Sequence, residues 1–126
     1  SMGYYAFELD EGSKKICTIV VPWGLYQYQV LPMGLKIGTD VLQGALNMMF
    51  SHMPDVHVYM DDIIVIGAST YEAHLQDVNR VLQQLVRKGM QVNATKSQWA
   101  EQEVDYLGFR LTTEGIKPQK NKATRF

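Results

Sequence analysis

The chain has 126 residues, of which 46% are hydrophobic and 20% charged, the profile of one folded domain, or part of one, rather than of a disordered segment. A formal net charge of -1 excludes a polybasic binder whose affinity comes from many phosphate-neutralising Lys and Arg, so any nucleic-acid contact must be local. The single Cys17 excludes an intrachain disulfide framework and a cysteine-based zinc site, and it fits a cytosolic or nuclear compartment.

Ser1-Met2 reads as an expression scar, to be left out of fold reasoning. Tyr4 to Leu9 and Ile16 to Val21 are rich in aromatic and β-branched residues and flank the polar stretch Asp10 to Lys15, which predicts a β-hairpin. The chain is thus strand-like from Gly3 onward, as expected of a piece cut from a longer polypeptide. Pro22-Trp23-Gly24 punctuates, Leu25 to Val30 alternates as a short strand, and Pro32 with Gly34 breaks again. Val41, Leu42, Ala45, Leu46, Met49, Phe50 and Met53 then recur at helical spacing behind Thr39 or Asp40 as N-cap, predicting a helix over about 40–52.

Val56 to Met60 and Ile63 to Ile66 are apolar runs either side of Asp61-Asp62, the pattern of two buried strands joined by a tight turn. This is also the longest strongly apolar stretch, and the two aspartates leave it far short of the roughly 20 apolar residues of a membrane span. Ser69-Thr70-Tyr71-Glu72 reads as a capping box opening a helix with Val78, Val81, Leu82, Leu85 and Val86 on its apolar face and Gly89 at its C-cap. Met90 to Asn93, Gln98 to Ala100 and Val104 to Leu111 read as strands, the last interrupted by Gly108. After Gly115 the chain turns basic, with Lys117, Lys120, Lys122 and Arg125, and is expected to fray or start a helix. The order predicts an α+β domain with helices packed on one face of a largely antiparallel sheet, a split βαβ layout.

Two adjacent carboxylates between apolar strands repel each other and need compensation. In the plain reading they fill a turn, where Asp tolerates left-handed backbone and faces water. In the sharper one they hold Mg²⁺, a hard cation that takes one or two carboxylates together with substrate phosphates. His52, His57 and His74 show no metal-ligand spacing, and there is no Ser/His/Asp set or phosphate-cradling glycine loop.

The surroundings of the acidic pair carry a resemblance. Tyr59-Met60-Asp61-Asp62 lies between Val56-His57-Val58 and Ile63-Ile64-Val65; upstream stand Pro22-Trp23-Gly24-Leu25-Tyr26 and Leu31-Pro32-Met33-Gly34-Leu35-Lys36, downstream Val104-Asp105-Tyr106-Leu107-Gly108-Phe109 and Glu114-Gly115-Ile116-Lys117-Pro118. In order and spacing these blocks resemble the reverse transcriptase of gypsy-like LTR retrotransposon Pol polyproteins, from Gly3 to about Pro118.

The resemblance implies a palm, the α+β ferredoxin-like subdomain of an RNA-directed DNA polymerase, over 3–112, with 113–126 leading toward a thumb. It implies two Mg²⁺ ions, with Mn²⁺ as a substitute, about 3.5 to 4 Å apart and stabilising the attacking and leaving oxygens. Asp61 and Asp62 would be metal ligands. Tyr4 matches the bulky residue that floors the deoxyribose, although an aromatic there equally suits core packing. Met33-Gly34 match the dNTP-facing block, Lys36 is a phosphate partner, and Lys96 matches the lysine that protonates pyrophosphate. Leu107-Gly108 match the primer grip, although a β-bulge glycine would give much the same geometry. Template, primer and dNTP are the implied partners, in a retrotransposon particle or the nucleus.

The sequence departs from the family at one place. The first catalytic Asp of the family stands four residues before the Gly of Gly3-Tyr4-Tyr5, a position before Ser1, and neither Glu8 nor Asp10 matches it. Gly3 to Phe109 also holds 7 Lys/Arg against 12 Asp/Glu, which leaves little counterion-release affinity for a duplex. The expectation is a chain that is inactive and binds nucleic acid weakly on its own. The alternative is a non-catalytic module that self-associates through the apolar surface where fingers and thumb would dock.

Overall fold

The computed structural model describes residues 3–67 and 69–119. The expression-scar reading of Ser1-Met2 and the basic tail residues Lys120, Lys122 and Arg125 lie outside them. The expected α+β class is found, with helices and short antiparallel strands mixed along the chain.

The first predicted hairpin does not form. Gly3–Ala6 is a 3-10 turn, and the strand-like stretch after it makes one antiparallel bridge, Glu8 to Val30, flanked by bonds from Leu9 N–H to Gln29 O and from Leu31 N–H to Phe7 O. The polar stretch meant as its turn is instead a helix, α1 (Glu11–Ile16), because the Asp10 carboxylate accepts from Ser13 N–H and caps it. The strand that follows, β1 (Thr18–Val21), pairs forward with β2 (Gly24–Gln27) around Pro22-Trp23.

Helix α2 (Gly38–Phe50) starts two residues before the expected position and has no side-chain cap. Thr39 does not cap because it lies inside the first turn, behind Ile37 at the N-cap position, and its hydroxyl meets the Tyr4 phenol at 3.3 Å; Asp40 lies in the same turn, where a carboxylate suits the helix dipole. Gly38 makes that contact possible: a Cβ here would stand 3.3 Å from the Tyr4 ring.

Strands β3 (Val56–Tyr59) and β4 (Asp62–Val65) form the expected tight hairpin. One face is apolar, with Val56 paired to Val65 and Val58 to Ile63. The other is mixed, since Ile64 is buried whereas His57 and Tyr59 are exposed; the strands are not buried on both faces. Helix α3 (Tyr71–Arg87) is capped by Thr70, whose hydroxyl accepts from Ala73 N–H, rather than by Ser69. It ends in a Schellman motif, with Met90 N–H on Leu85 O, Gly89 N–H on Val86 O and Gly89 at φ +70°. Val86, expected on the apolar face, is 75% exposed.

No strand forms over Met90 to Asn93 or Gln98 to Ala100. Asn93 bends the chain instead, its side-chain oxygen accepting from Lys96 N–H at 3.2 Å and from the Thr95 hydroxyl at 2.7 Å. The predicted strand 104–111 is a hairpin of β5 (Val104–Tyr106) and β6 (Phe109–Thr112), turned at Leu107-Gly108. It is extended by β7 (Gly115–Pro118), where fraying or a helix start was expected. The strands therefore make three separate antiparallel ladders, and no described helix is long and apolar enough to cross a membrane.

The core is small. Leu42, Leu46 and Phe50 from α2, Met53, Val56 from β3, and Val81 and Leu85 from α3 form it, and Val58, Ile63, Val65 and Met90 pack around them. Leu42, at 2% exposed, is the most enclosed. Leu42→Ala should cost about 2–5 kcal/mol in urea unfolding, whereas Val86→Ala should stay within about 0.5 kcal/mol.

Candidate active site

The β3–β4 register pairs Tyr59 with Asp62 and leaves Met60-Asp61 as a two-residue loop. The left-handed backbone expected of a turn aspartate falls on Met60, at φ +50°. Asp61 and Asp62 are both exposed, so water screens their repulsion while the apolar face of the hairpin fixes where they stand.

Both carboxylates open into a groove of about 940 Å³ that Lys96 and Leu107 also line. Its lining is carboxylate-rich: it holds Asp61, Asp62, Glu101 and Asp105, with Lys96 as the one Lys or Arg. Tyr106 also lines the groove; burial pushes its phenol above the usual range, and the Asp62 charge adds to the effect. Phosphates would be repelled from such a groove unless cations entered with them.

Three non-glycine residues among those described have positive φ: Met60 (50°), Ala100 (52°) and Leu107 (50°). All three line this groove. Strained backbone is therefore gathered here and not spread over the fold. Leu107 is followed by Gly108 at φ +83°, and two consecutive left-handed residues make the tight hairpin turn that a strand bulge would not.

The other expected site residues stand apart from the groove. Tyr4 is half-buried against the core, its ring on Gly38 and its hydroxyl on Thr39. Met33 and Lys36 are exposed. Gly34 has φ +90° and nothing within 4 Å of where a Cβ would be, so the backbone conformation and not crowding calls for glycine. Gly108 shares the Leu107 turn without lining the groove. Two groups that the sequence did not mark stand by the acidic hairpin: Tyr106, whose phenol feels the Asp62 charge, and Gln43, which hydrogen-bonds the hairpin backbone. Tyr106 lay within a quoted block, but Gln43 carries no sequence signal beyond being a polar residue beside Leu42.

Among the described residues no three His, Cys, Asp or Glu cluster closely enough to hold a metal. Asp61 and Asp62 offer a two-carboxylate seat, and hard oxygen donors of that number fit Mg²⁺, which fills its remaining positions with water and phosphate oxygens.

A family model for reverse transcriptase (RNA-dependent DNA polymerase) matches residues 1–111. The chain is 34% identical over 123 residues to the retrovirus-related Pol polyprotein from transposon 412 of Drosophila melanogaster, covering 95% of this chain and 10% of that one. It is 30% identical over 125 residues to the Pol polyprotein from transposon gypsy of the same organism (96% and 12% covered). It is likewise 30% identical over 115 residues to the enzymatic polyprotein of Soybean chlorotic mottle virus (90% and 17%). The chain thus spans 10–17% of the length of these relatives. In fold it is similar to the foamy viral protease-reverse transcriptase in complex with RNA/DNA hybrid, with a TM-score of 0.86 at 24% identity over 99% of this chain and 17% of that one. The dRH form of that protein in complex with double-stranded DNA gives a TM-score of 0.88 at 24% identity over 100% and 23%.

The wall of the groove that carries Leu107 is braced by a cross-strand pair. Arg110 Nε and Nη2 donate to the two Asp105 oxygens at 2.9 and 3.2 Å, and the residues face each other in the β5–β6 register. The Arg110 hydrogen bonds hold the Asp105 carboxyl below its usual range. A depressed folded pKa means that the contribution is complete above the unfolded value and is lost as pH falls through the folded one. Arg110→Gln should therefore raise the Asp105 midpoint toward the ordinary carboxylate range in a carbon-13 NMR titration and remove this acid-side loss of hairpin stability.

Proposed function

The chain belongs to the reverse transcriptase (RNA-dependent DNA polymerase) family, and from that premise we propose that it is the palm core of an RNA-directed DNA polymerase, adding dNTPs to a primer 3′-hydroxyl. The observation that carries this reading is Tyr59-Met60-Asp61-Asp62 at the tip of a hairpin, both carboxylates opening into an acidic groove that also receives Lys96 and Leu107. The partners are an RNA or DNA template with its primer, in keeping with the RNA/DNA hybrid and double-stranded DNA bound by the structural relatives. The working compartment is cytoplasmic, in a retrotransposon particle, or nuclear.

Asp61 and Asp62 would hold Mg²⁺, with Mn²⁺ as a substitute. When bound, two such ions stabilise the attacking and leaving oxygens of an in-line displacement. The chain's own residues supply the rest. Lys96, the one Lys or Arg lining the groove, would give a proton to the departing pyrophosphate, as a general acid does. Leu107-Gly108 turn the backbone toward the primer strand. Gly34, with open space around it, lets the Met33-Gly34 backbone approach a dNTP closely, beside Lys36. Tyr4 sets the height of the sugar floor through its seat on Gly38 and Thr39.

Two carboxylates are one short of the three that the family's two-ion arrangement uses, so the isolated chain should not extend a primer. A polypeptide that adds the upstream region with its Asp, the fingers and the thumb should extend a primer with Mg²⁺ and dNTP. Asp61→Asn in it should reduce the rate about a thousandfold or more. Extension by the 126-residue chain, or none by the longer one, would count against the proposal.

A second reading, self-association, is favoured by the β1–β2 hairpin, where Val20, Trp23 and Leu25 are 70–79% exposed. Apolar surface of this kind drives chains together. Light scattering should give a mass that rises with concentration for the isolated chain and a monomer for a Trp23→Ser, Leu25→Ser double variant.

A further inference from the structure

One side-chain amide outside the sequence motifs grips the backbone of the acidic hairpin. Gln43, on α2, donates from Nε2 to Val58 O at 3.0 Å and accepts at Oε1 from Met60 N–H. Its second Nε2 hydrogen goes to Asn47 Oδ1, one helical turn on, at 2.9 Å. The three partners require a single orientation of the amide: two acceptors meet the NH₂ and one donor meets the carbonyl.

The two backbone groups are not an arbitrary pair. On a strand, the carbonyl of one residue and the N–H of the residue two further on point to the same edge, and they are what a neighbouring strand would engage. Tyr59, between them, pairs with Asp62 across the hairpin. The Gln43 amide thus occupies the free edge of β3 as a one-residue substitute for a third strand, at the place where the ladder ends. Met60 is the residue forced to φ +50°, and Asp61 follows it directly. The two-residue loop itself calls for a left-handed residue, and the Gln43 bond adds to it by fixing the Met60 N–H, and with it the direction in which Asp61 leaves the turn. Gln43 itself has its Cα on a helix anchored in the core by Leu42 and Leu46, so the clamp is tied to the buried core.

We propose that Gln43 is a positioning residue for the metal seat, holding Met60 in its left-handed state and thereby aiming the Asp61 carboxylate into the groove. The proposal rests on the polymerase reading for its metal. It also has a consequence independent of activity, in the exchange of one amide proton.

The test uses this chain, with Mn²⁺ as the probe. Gln43→Leu keeps the side-chain volume and removes the bonds. It should speed exchange of the Met60 amide about tenfold, as loss of a hydrogen bond allows. It should also weaken Mn²⁺, read from paramagnetic broadening around Asp61, by about three- to tenfold, with the thermal midpoint of the core little changed. Asn47→Ala, which leaves both hairpin bonds but frees the amide to rotate, should give the same changes at smaller size. Asp61→Asn should abolish the broadening while Met60 stays protected. Should Gln43→Leu fail to fold, Gln43→Met carries the same comparison. Unchanged Met60 exchange overturns the clamp, and faster exchange with unchanged Mn²⁺ binding overturns the positioning role alone. If Mn²⁺ broadens nothing near Asp61 in the unsubstituted chain, the metal seat and the positioning role fall together, so failure of the functional reading is told apart from failure of this one.

Discussion

The seam between α2 and β3 fixes everything that the chain can present to a substrate. Leu42, Leu46 and Phe50 recur every four residues, the spacing that stacks side chains on one helical face, and all three are 2–3% exposed. Burial of each such side chain stabilises by about 1.5–3 kcal/mol, and the same stripe receives Val56 and Val58 from β3. A strand that alternates faces and is held by its first and third residues has no freedom to slip, because a shift by one residue would turn Val56 and Val58 to solvent. The position of Met60-Asp61 at the end of β3 follows from that register. α3 completes the arrangement from the other side, with Val81 and Leu85 in the same cluster, and its Schellman end sends the chain back over the groove that Lys96 and Leu107 line.

Charge is distributed in the complementary way. The core holds no buried polar or charged residue among those described, and beside the cross-strand pair of Arg110 with Asp105 there are i,i+3 ion pairs at the surface, which contribute little to stability. Four carboxylates, Asp61, Asp62, Glu101 and Asp105, instead line one groove. A near-neutral chain can therefore be locally acidic in one groove.

What the sequence made legible was whatever rests on periodicity or on a local bond. The stripe on α2, the two runs around Asp61-Asp62, and α3 with its Gly89 exit were all readable, since each is specified by its own residues. The errors share a cause. Tyr4 to Leu9 has strand composition, but Asp10 capped a helix behind it and took away the turn that a hairpin needs. Met90 to Asn93 looked like a strand until Asn93 bonded its own following backbone. Thr39 looked like a cap, yet the helix starts one residue before it and its hydroxyl meets a tyrosine 35 residues away. In each case a side chain chose a backbone or long-range partner that composition does not encode. The acidic pair was legible as a candidate site from its motif. The Gln43 clamp was not, because a glutamine on a helix announces nothing until the strand edge it meets is known.

The three left-handed residues that line the groove have a consequence for how this chain can change. Each holds a backbone state that costs a side-chain-bearing residue about 1–2 kcal/mol relative to glycine's free access, and none is a glycine. Positions 60, 100 and 107 are thus places where stability is available without repacking anything. A library selected for thermal tolerance alone would drift toward glycine or asparagine at these tips, and it would loosen the edges of the groove first. Persistence of Met, Ala and Leu at those positions in a diversifying population would separate selection for what happens in the groove from selection for the fold around it.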